Sequence, residues 1–382
     1  MIANLEYFRN VIIKNLRSQG FKIRKNEIIS TSNSFTKEHI RNLHKHSYDQ
    51  KLLSEKDFIK KSFKQLSTYF ADGILLNPKK FKPVVHLVEP NTELSSLFKF
   101  ATLLWSVPVS QGFGRRLRFV VLDEYNGKLI GLFALGDPVF NLKVRDKWVG
   151  WDQEMRSERL YNVMDLFVVG AVPPYSHLLC GKLMAMIATS NEVRKMVWCK
   201  YKNTVTTIKE ESKKPHLVLL TTSSALGRSS LYNRITFNSN QLFFKIGETS
   251  GWGHFHLSNG SFELMREYLT FIGHPINKSN RFGQGPNWKI RAIRTCLELF
   301  GLSTDLLMHG IKREVYIVPL AENYKEFLLG QSKRPLYFDF AIDKLVNYFI
   351  QRWFIPRSTR FIDYKKIKAM SILKDIKKVS EL

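Results

Sequence analysis

The sequence predicts an α/β protein with a mixed sheet at its centre, a helical region before it and a basic, helical tail after it. Three observations predict this. Met164 to Val172 is an apolar, β-branched run interrupted only by Asp165, which reads as a buried strand. Pro173-Pro174 ends it, since neither proline can donate to a ladder, and Leu179, Leu183, Met186 and Ile187 then fall on one face of a helix starting at His177. Leu117 to Leu135 is two strands around Asn126-Gly127, which supplies the positive φ angles a tight hairpin needs. These signals divide the 382 residues into a helical region 1–110, a core 111–330 and a tail 331–382.

The elements follow in order. Leu5, Phe8, Ile12 and Leu16 make one helical face, and Gly20 stands where that helix stops. A polar loop follows. His39, His44 and His46 lack metal spacing and read as surface residues. Ser54-Glu55-Lys56-Asp57 resembles a capping box before a helix with Ile59, Phe63, Leu66 and Phe70 inside and Lys56, Lys60, Lys61 and Lys64 outside. Val84 to Val88 is a short strand, and Thr92 caps a helix carrying Leu94, Leu97, Phe98, Leu104 and Trp105. A charged, Trp-rich connection leads to a short helix from Gln153 to Leu160. Leu217–Leu220, Gln241–Ile246 and Arg313–Leu320 are further strands. His254 and His256 alternate onto one strand face. Phe262 to Leu269 and Asn287 to Phe300 are helices, with the polar loop RFGQGPNW before the second, and Glu322 to Leu329 is a short helix ended by Gly330. The tail from Gln351 holds nine basic residues and three acids.

Composition narrows the function classes. Hydrophobic content of 44% is ordinary for a globular protein, and no run of eighteen apolar residues predicts a membrane span. No secretory signal opens the chain, and three cysteines without CxxC spacing read as reduced thiols, so a cytoplasmic location is expected. Fifty-nine Lys and Arg against 33 acids give a net charge of +26. Such an excess attracts polyanions, and nucleic acid, DNA above all, is the expected partner; an acidic protein or a membrane surface fits the charge as well.

Several residues are candidates for a site. A strand, a tight loop and a helix with Gly181-Lys182 near its start is an arrangement that holds phosphate at a helix N-terminus; a ligand-free strand-turn-helix has the same pattern. Gly227-Arg228-Ser229-Ser230 offers amides, hydroxyls and a guanidinium at a second helix start, and capping explains the serines equally well. Gly112-Phe113-Gly114-Arg115-Arg116 is a basic turn suited to phosphate or simply a connector. Arg145, Lys289 and Arg291 add candidate anion contacts. Asp165 is a candidate general base, because an acid inside an apolar strand must be paired or protonated. Asp137, Asp152, Glu154 and His254 are the residues a metal-dependent nuclease would use, although HxH by itself is weak and ion pairing explains the acids. No Walker, Rossmann, HExxH or GxSxG pattern occurs, and no cofactor is identified.

The longer words RRLRFVVLDEYNGKLIGLFALGDPVFNLKVRDKWVGWD, YNVMDLFVVGAVPPYSHLLCGKLMAMIATS, HLVLLTTSSALGRSSLYNRI, IGETSGWGHFHL and RFGQGPNWKIRAIR closely resemble the Druantia anti-phage DruA family over roughly residues 105 to 330. The resemblance implies a component of a multi-gene bacterial system that restricts phage, with the system's other proteins as partners. The order of hairpin, strand, VxPxY loop and helix is also similar to GNAT acyltransferases, and within them to the phage Mom DNA-modification proteins. That likeness implies a GNAT-like core, with Pro174, Tyr175, Gly181 and Lys182 at the cofactor loop. Asp165 would be the base and Tyr232 the acid in group transfer to a nucleobase. Leu178, Leu179 and Cys180 replace the glycine pattern of that loop. Fold does not fix function, so a non-catalytic DNA-binding or adaptor subunit is the rival expectation.

Overall fold

Seven strands form one mixed sheet in a computed structural model that describes residues 2–29, 36–109, 114–205, 211–257, 260–278 and 288–382. The chain begins with α1 (Ile2–Ser18), a small hairpin (Lys22–Arg24 with Glu27–Ile29), α2 (Lys37–Ser54) and α3 (Lys56–Leu66). Then come β1 (Pro83–Leu87), α4 (Glu93–Thr102), β2 (Arg116–Asp123), β3 (Lys128–Gly136), α5 (Lys143–Val149), α6 (Gln153–Arg159), β4 (Val163–Ala171), α7 (Cys180–Ile187) and α8 (Asn191–Tyr201). β5 (Leu219–Ser223), β6 (Phe244–Glu248), α9 (Gly260–Phe271), α10 (Trp288–Leu299) and β7 (Glu314–Pro319) complete the core. Five helices follow: α11 (Tyr324–Leu328), α12 (Ile342–Phe349), α13 (Ile355–Arg360), α14 (Ala369–Ile372) and α15 (Lys374–Ser380).

The strand order is β6-β7-β5-β4-β3-β2-β1, antiparallel except for β4 and β5. The β2–β3 hairpin turns at Asn126-Gly127 as its sequence predicts, with Gly127 at φ +68°. Val163, Met164 and Asp165 pair in parallel with Leu219, Leu220 and Thr221. β4 then runs on to Ala171 against β3 alone, so the two parallel strands splay apart beyond Asp165. The Thr222 hydroxyl donates to Leu166 O at the start of that opening.

Apolar layers cover both faces. On one, α7, α12 and the tail pack over Phe119, Phe133, Met164 and Leu166. Phe119 and Phe133 stack at 4.6 Å and are fully buried. Each such ring contributes roughly 2–3 kcal/mol by leaving water. On the other face lie α3, α4 and α15, and beside them α5 and α11. A further core joins α1, α2, α9 and α10. Phe349, Phe354 and Tyr364 of the 331–382 segment are buried in the α7 layer, and Leu373, Ile376 and Val379 in the α3–α4 layer.

Several local expectations are corrected. The helix expected from His177 is a 3-10 turn, Tyr175–Leu178, and α7 begins only after Leu179, whose φ of +66° breaks the run. Ser229 starts no α-helix; one 3-10 turn, Tyr232–Arg234, follows it. Ser54 ends α2 instead of capping α3, and Glu55 at the junction binds Lys51 and Lys99. His254 and His256 are not on a strand; Phe255–Leu257 is a 3-10 turn. His44 is buried, not on the surface, its ring tilted against Phe255 at 4.1 Å in the α1–α2 core. Gln241 to Ile246 is two short pieces, and the hairpin at 22–29 replaces part of an expected loop. Gly112 and Phe113 of the basic turn, and the 281–287 stretch of RFGQGPNW, lie outside the described residues.

Candidate functional site

The start of the splay between β4 and β5 places Asp165 and Tyr232, and its sides differ. Neighbouring strand residues point to opposite faces. Asp165 accepts from the Thr221 hydroxyl at 2.8 Å on one face. The Tyr232 hydroxyl lies 3.4 Å from Thr222 on the other, inside the α7 layer. The candidate base and the candidate acid therefore face away from each other through the sheet.

Asp165 is half-buried, and burial raises its carboxyl to about 6, against the lowering pull of Thr221, Arg145 and Arg116. Arg116 stacks on Phe167 at 4.2 Å. Arg145, expected to meet an anion, is fully buried: it binds Asp146 and the carbonyls of Val139 and Phe140, so its guanidinium is spent inside the protein. Arg115 is held by Asp137 at 2.7 Å and stacks on Tyr161. Tyr232 stacks on Phe243 and meets Tyr316 at a tilt, each at 5.0 Å, and burial pushes its hydroxyl to about 12.

The mouth at the tip of α7 is filled by the chain itself. Tyr175 is fully buried, donates to Asp123 at 2.9 Å and receives the Asn126 amide at 3.0 Å, which ties the post-β4 loop to the hairpin turn. Pro174 is buried beside it, and the Pro173-Pro174 peptide is cis. A Cβ on Gly181 would meet Leu231 at 3.3 Å. Lys182 is buried, donates to Arg234 O at 2.8 Å and lies 4.8 Å from the Trp353 ring of the tail. Burial, with Arg234 and Arg352 nearby, lowers its ammonium to about 8.

A second, open feature lies at the far edge of the sheet. Gly227, Arg228, Asn233, Lys245, Glu248, Lys312 and Glu314 line a cleft of about 510 Å³. Buried Glu314 accepts from the Ser229 amide and Lys245, each at 2.8 Å, and from the Tyr316 hydroxyl. The anion that the Gly227–Ser230 sequence predicts is thus met, in part, by the protein's own carboxylate. Burial opposes its charge, but these three donors outweigh burial and hold it down to about 2. The Ser229 hydroxyl accepts from the amides of Leu231 and Tyr232, the capping role open to it. Arg228 and Lys312 are exposed. Lys245, Lys312 and Glu314 were not among the sequence candidates; only Arg228 was.

The residues of a metal-dependent reading are dispersed in their roles. Asp137 is bound to Arg115, Asp152 caps α6 by accepting from the Met155 amide at 2.8 Å, and Glu154 is exposed in the first turn of α6. Burial first, and Lys289 second, lower His254 to about 4. Among the described residues no three of His, Cys, Asp and Glu converge to hold a metal ion. Lys289 stacks on Phe262 at 4.4 Å, and Arg291 is partly buried in the next positions of α10.

Exposed lysines are spread along the chain, and two adjacent helices carry six of them. α3 packs beside α15 through Ile59 and Ile376. Their outer sides carry Lys60, Lys61 and Lys64 and Lys374, Lys377 and Lys378, all exposed. Together they form a two-helix basic ridge.

A seven-stranded mixed sheet whose single parallel pair splays, covered by helices none of which, among the described residues, is long and apolar enough to cross a membrane, defines a basic mixed α/β protein. The comparisons then name the family. The family model for Druantia protein DruA matches residues 34–330. Druantia protein DruA of Escherichia coli (strain UMEA 4076-1) is 42% identical over 338 residues, covering 88% of this chain and 84% of that protein. The chain belongs to the Druantia protein DruA family, components of the Druantia anti-phage defence system. No solved structure gives a significant match.

Proposed function

We propose that this chain is the nucleic-acid-engaging, non-catalytic subunit of its defence system, built on a GNAT-like scaffold. The observation that carries the reading is the net charge of +26, with six exposed lysines on the adjacent helices α3 and α15. Those lysines neutralise backbone phosphates and release counterions, which gives affinity for DNA without reading sequence. The GNAT-like scaffold rests on the strand order, one parallel pair that splays and a late strand inserted between β5 and β6. Binding is preferred to group transfer because the α7 mouth is filled by Leu231, Arg234 and Trp353, and because Asp165 and Tyr232 face opposite sides of the sheet.

Duplex DNA titrated into the full chain tests this. Reversing Lys60, Lys64, Lys374 and Lys378 to Glu lowers affinity at least about tenfold and flattens the salt dependence. Unchanged binding in that variant refutes the ridge. One observation favours a second reading, group transfer at Asp165: the residue stands at the opening of the parallel pair, and burial raises its carboxyl to about 6, a value suited to a base. A modified nucleoside in cells carrying the wild type but not Asp165→Asn decides for it.

A further inference from the structure

We propose that the cleft between the 227–233 loop and the β6–β7 edge is a nucleotide site that takes a terminal phosphomonoester. The cleft lies where two distant segments meet. Ser224 N donates to Glu314 O, and Glu314 N donates to Gly227 O. Gly227, at φ +78°, sits so close that a Cβ would lie 3.5 Å from Lys312 O. Arg228 and Lys312 therefore leave neighbouring backbones at one side of the cleft, both exposed, and among the described residues no carboxylate is bound to either. Two unpaired cations match the charge of about −2 on a phosphomonoester better than the −1 of an internal phosphodiester.

The other side of the cleft has the opposite character. Lys245 is shared between Glu248 at 3.2 Å and Glu314 at 2.8 Å, so this trio keeps one excess negative charge. Glu314 is already saturated by Ser229, Tyr316 and Lys245, which leaves Glu248 and the Asn233 amide as the adjustable groups. Glu248 accepts from hydroxyl or amino donors, and the Asn233 side chain, which donates to Ser229 O, keeps its carbonyl as an acceptor. A sugar hydroxyl and a base amino group are such donors. The cleft thus offers cations for a phosphate at one side and acceptors for the nucleoside at the other. Its volume of about 510 Å³ admits one nucleotide and not a duplex. The lining has no aromatic ring, so recognition here is by charge and hydrogen bonds, not by stacking.

The phosphate comes from either of two sources, a free nucleotide or the end of a strand. The inference deepens the nucleic-acid reading above and is testable apart from it. The full chain is titrated with a labelled single-stranded oligonucleotide bearing a 5′-phosphate, with the same strand bearing a 5′-hydroxyl, and with deoxyadenosine monophosphate and inorganic phosphate as competitors. The expected result is a preference of at least about tenfold for the 5′-phosphate. Arg228→Gln with Lys312→Gln removes that preference and leaves the 5′-hydroxyl strand bound within about threefold, since ridge contacts persist. Both side chains are exposed, and an unchanged urea midpoint verifies the fold. Competition by the monophosphate but not by inorganic phosphate assigns a free nucleotide as sufficient. Preference without such competition assigns the strand end. Equal binding of the two strands by the wild type, or a preference that survives the double substitution, overturns the site while leaving the ridge reading intact. Monophosphate binding without any strand binding keeps the site and overturns the ridge.

Discussion

Glu314 shows how one side chain organises an edge. Its carboxylate is buried and holds Ser229 N–H, the Tyr316 hydroxyl and Lys245 together. Glu314→Ala leaves buried donors unsatisfied and costs roughly 2–4 kcal/mol, read as a fall in the urea midpoint. Its folded pKa of about 2 lies below the ordinary 4.5, so its contribution is complete above about pH 4.5 and is lost as pH falls through 2. Histidines set a second pH window. His44, His256 and His309 crowd around Phe255, and burial is the largest of the causes that lower them to about 4, 4 and 3. The unfolded chain binds these protons first, near 6.5, so stability falls as pH drops below about 6.5 and levels off near 4. The urea midpoint of the wild type is expected to fall between pH 7 and 5, and His44→Phe to reduce that fall. A pH-independent midpoint over this range contradicts the reading. None of this was visible in the spacing of the histidines, because His44 and His256 are brought together only by tertiary packing.

At the scale of elements, one close approach adds to the apolar anchoring of the tail. Gly73 N donates to Ile367 O at 2.8 Å, and a Cβ on Gly73 would lie 1.8 Å from Tyr364 O. Gly73→Ala forces the backbone around Tyr364 away and costs roughly 1–3 kcal/mol. Thermal unfolding measures this, and an unshifted midpoint contradicts the docking described. Strands and the hairpin were legible because their signals are local: Asn126-Gly127 for the turn, and apolar runs for β4, β5 and β7. α8 was not, since Val193, Val197 and Tyr201 make a thin buried stripe among basic residues. The turn at Ser229 misled because its serine caps a 3-10 turn as readily as a helix. Asp165 and Arg228 stood out as anomalies in their own words. Lys312 and Glu314 did not, because the cleft joins segments about 85 residues apart in the chain.

Across the whole molecule, sheet order and charge carry the account. The order β6-β7-β5-β4-β3-β2-β1 places the Tyr232 layer and the Asp165 side on opposite faces, which no reading of single strands reveals. The charge of +26 was plain from composition, whereas the pairing of basic α3 with basic α15 required the tail to fold back over the first hundred residues. The most direct test of nucleic-acid engagement is the affinity of the full chain for duplex DNA between about 50 and 200 mM salt. If the ridge neutralises about four to six phosphates, the logarithm of affinity falls against that of salt with a slope of about −4 to −5. Absence of binding at the low end of that range, or a slope near zero, contradicts it.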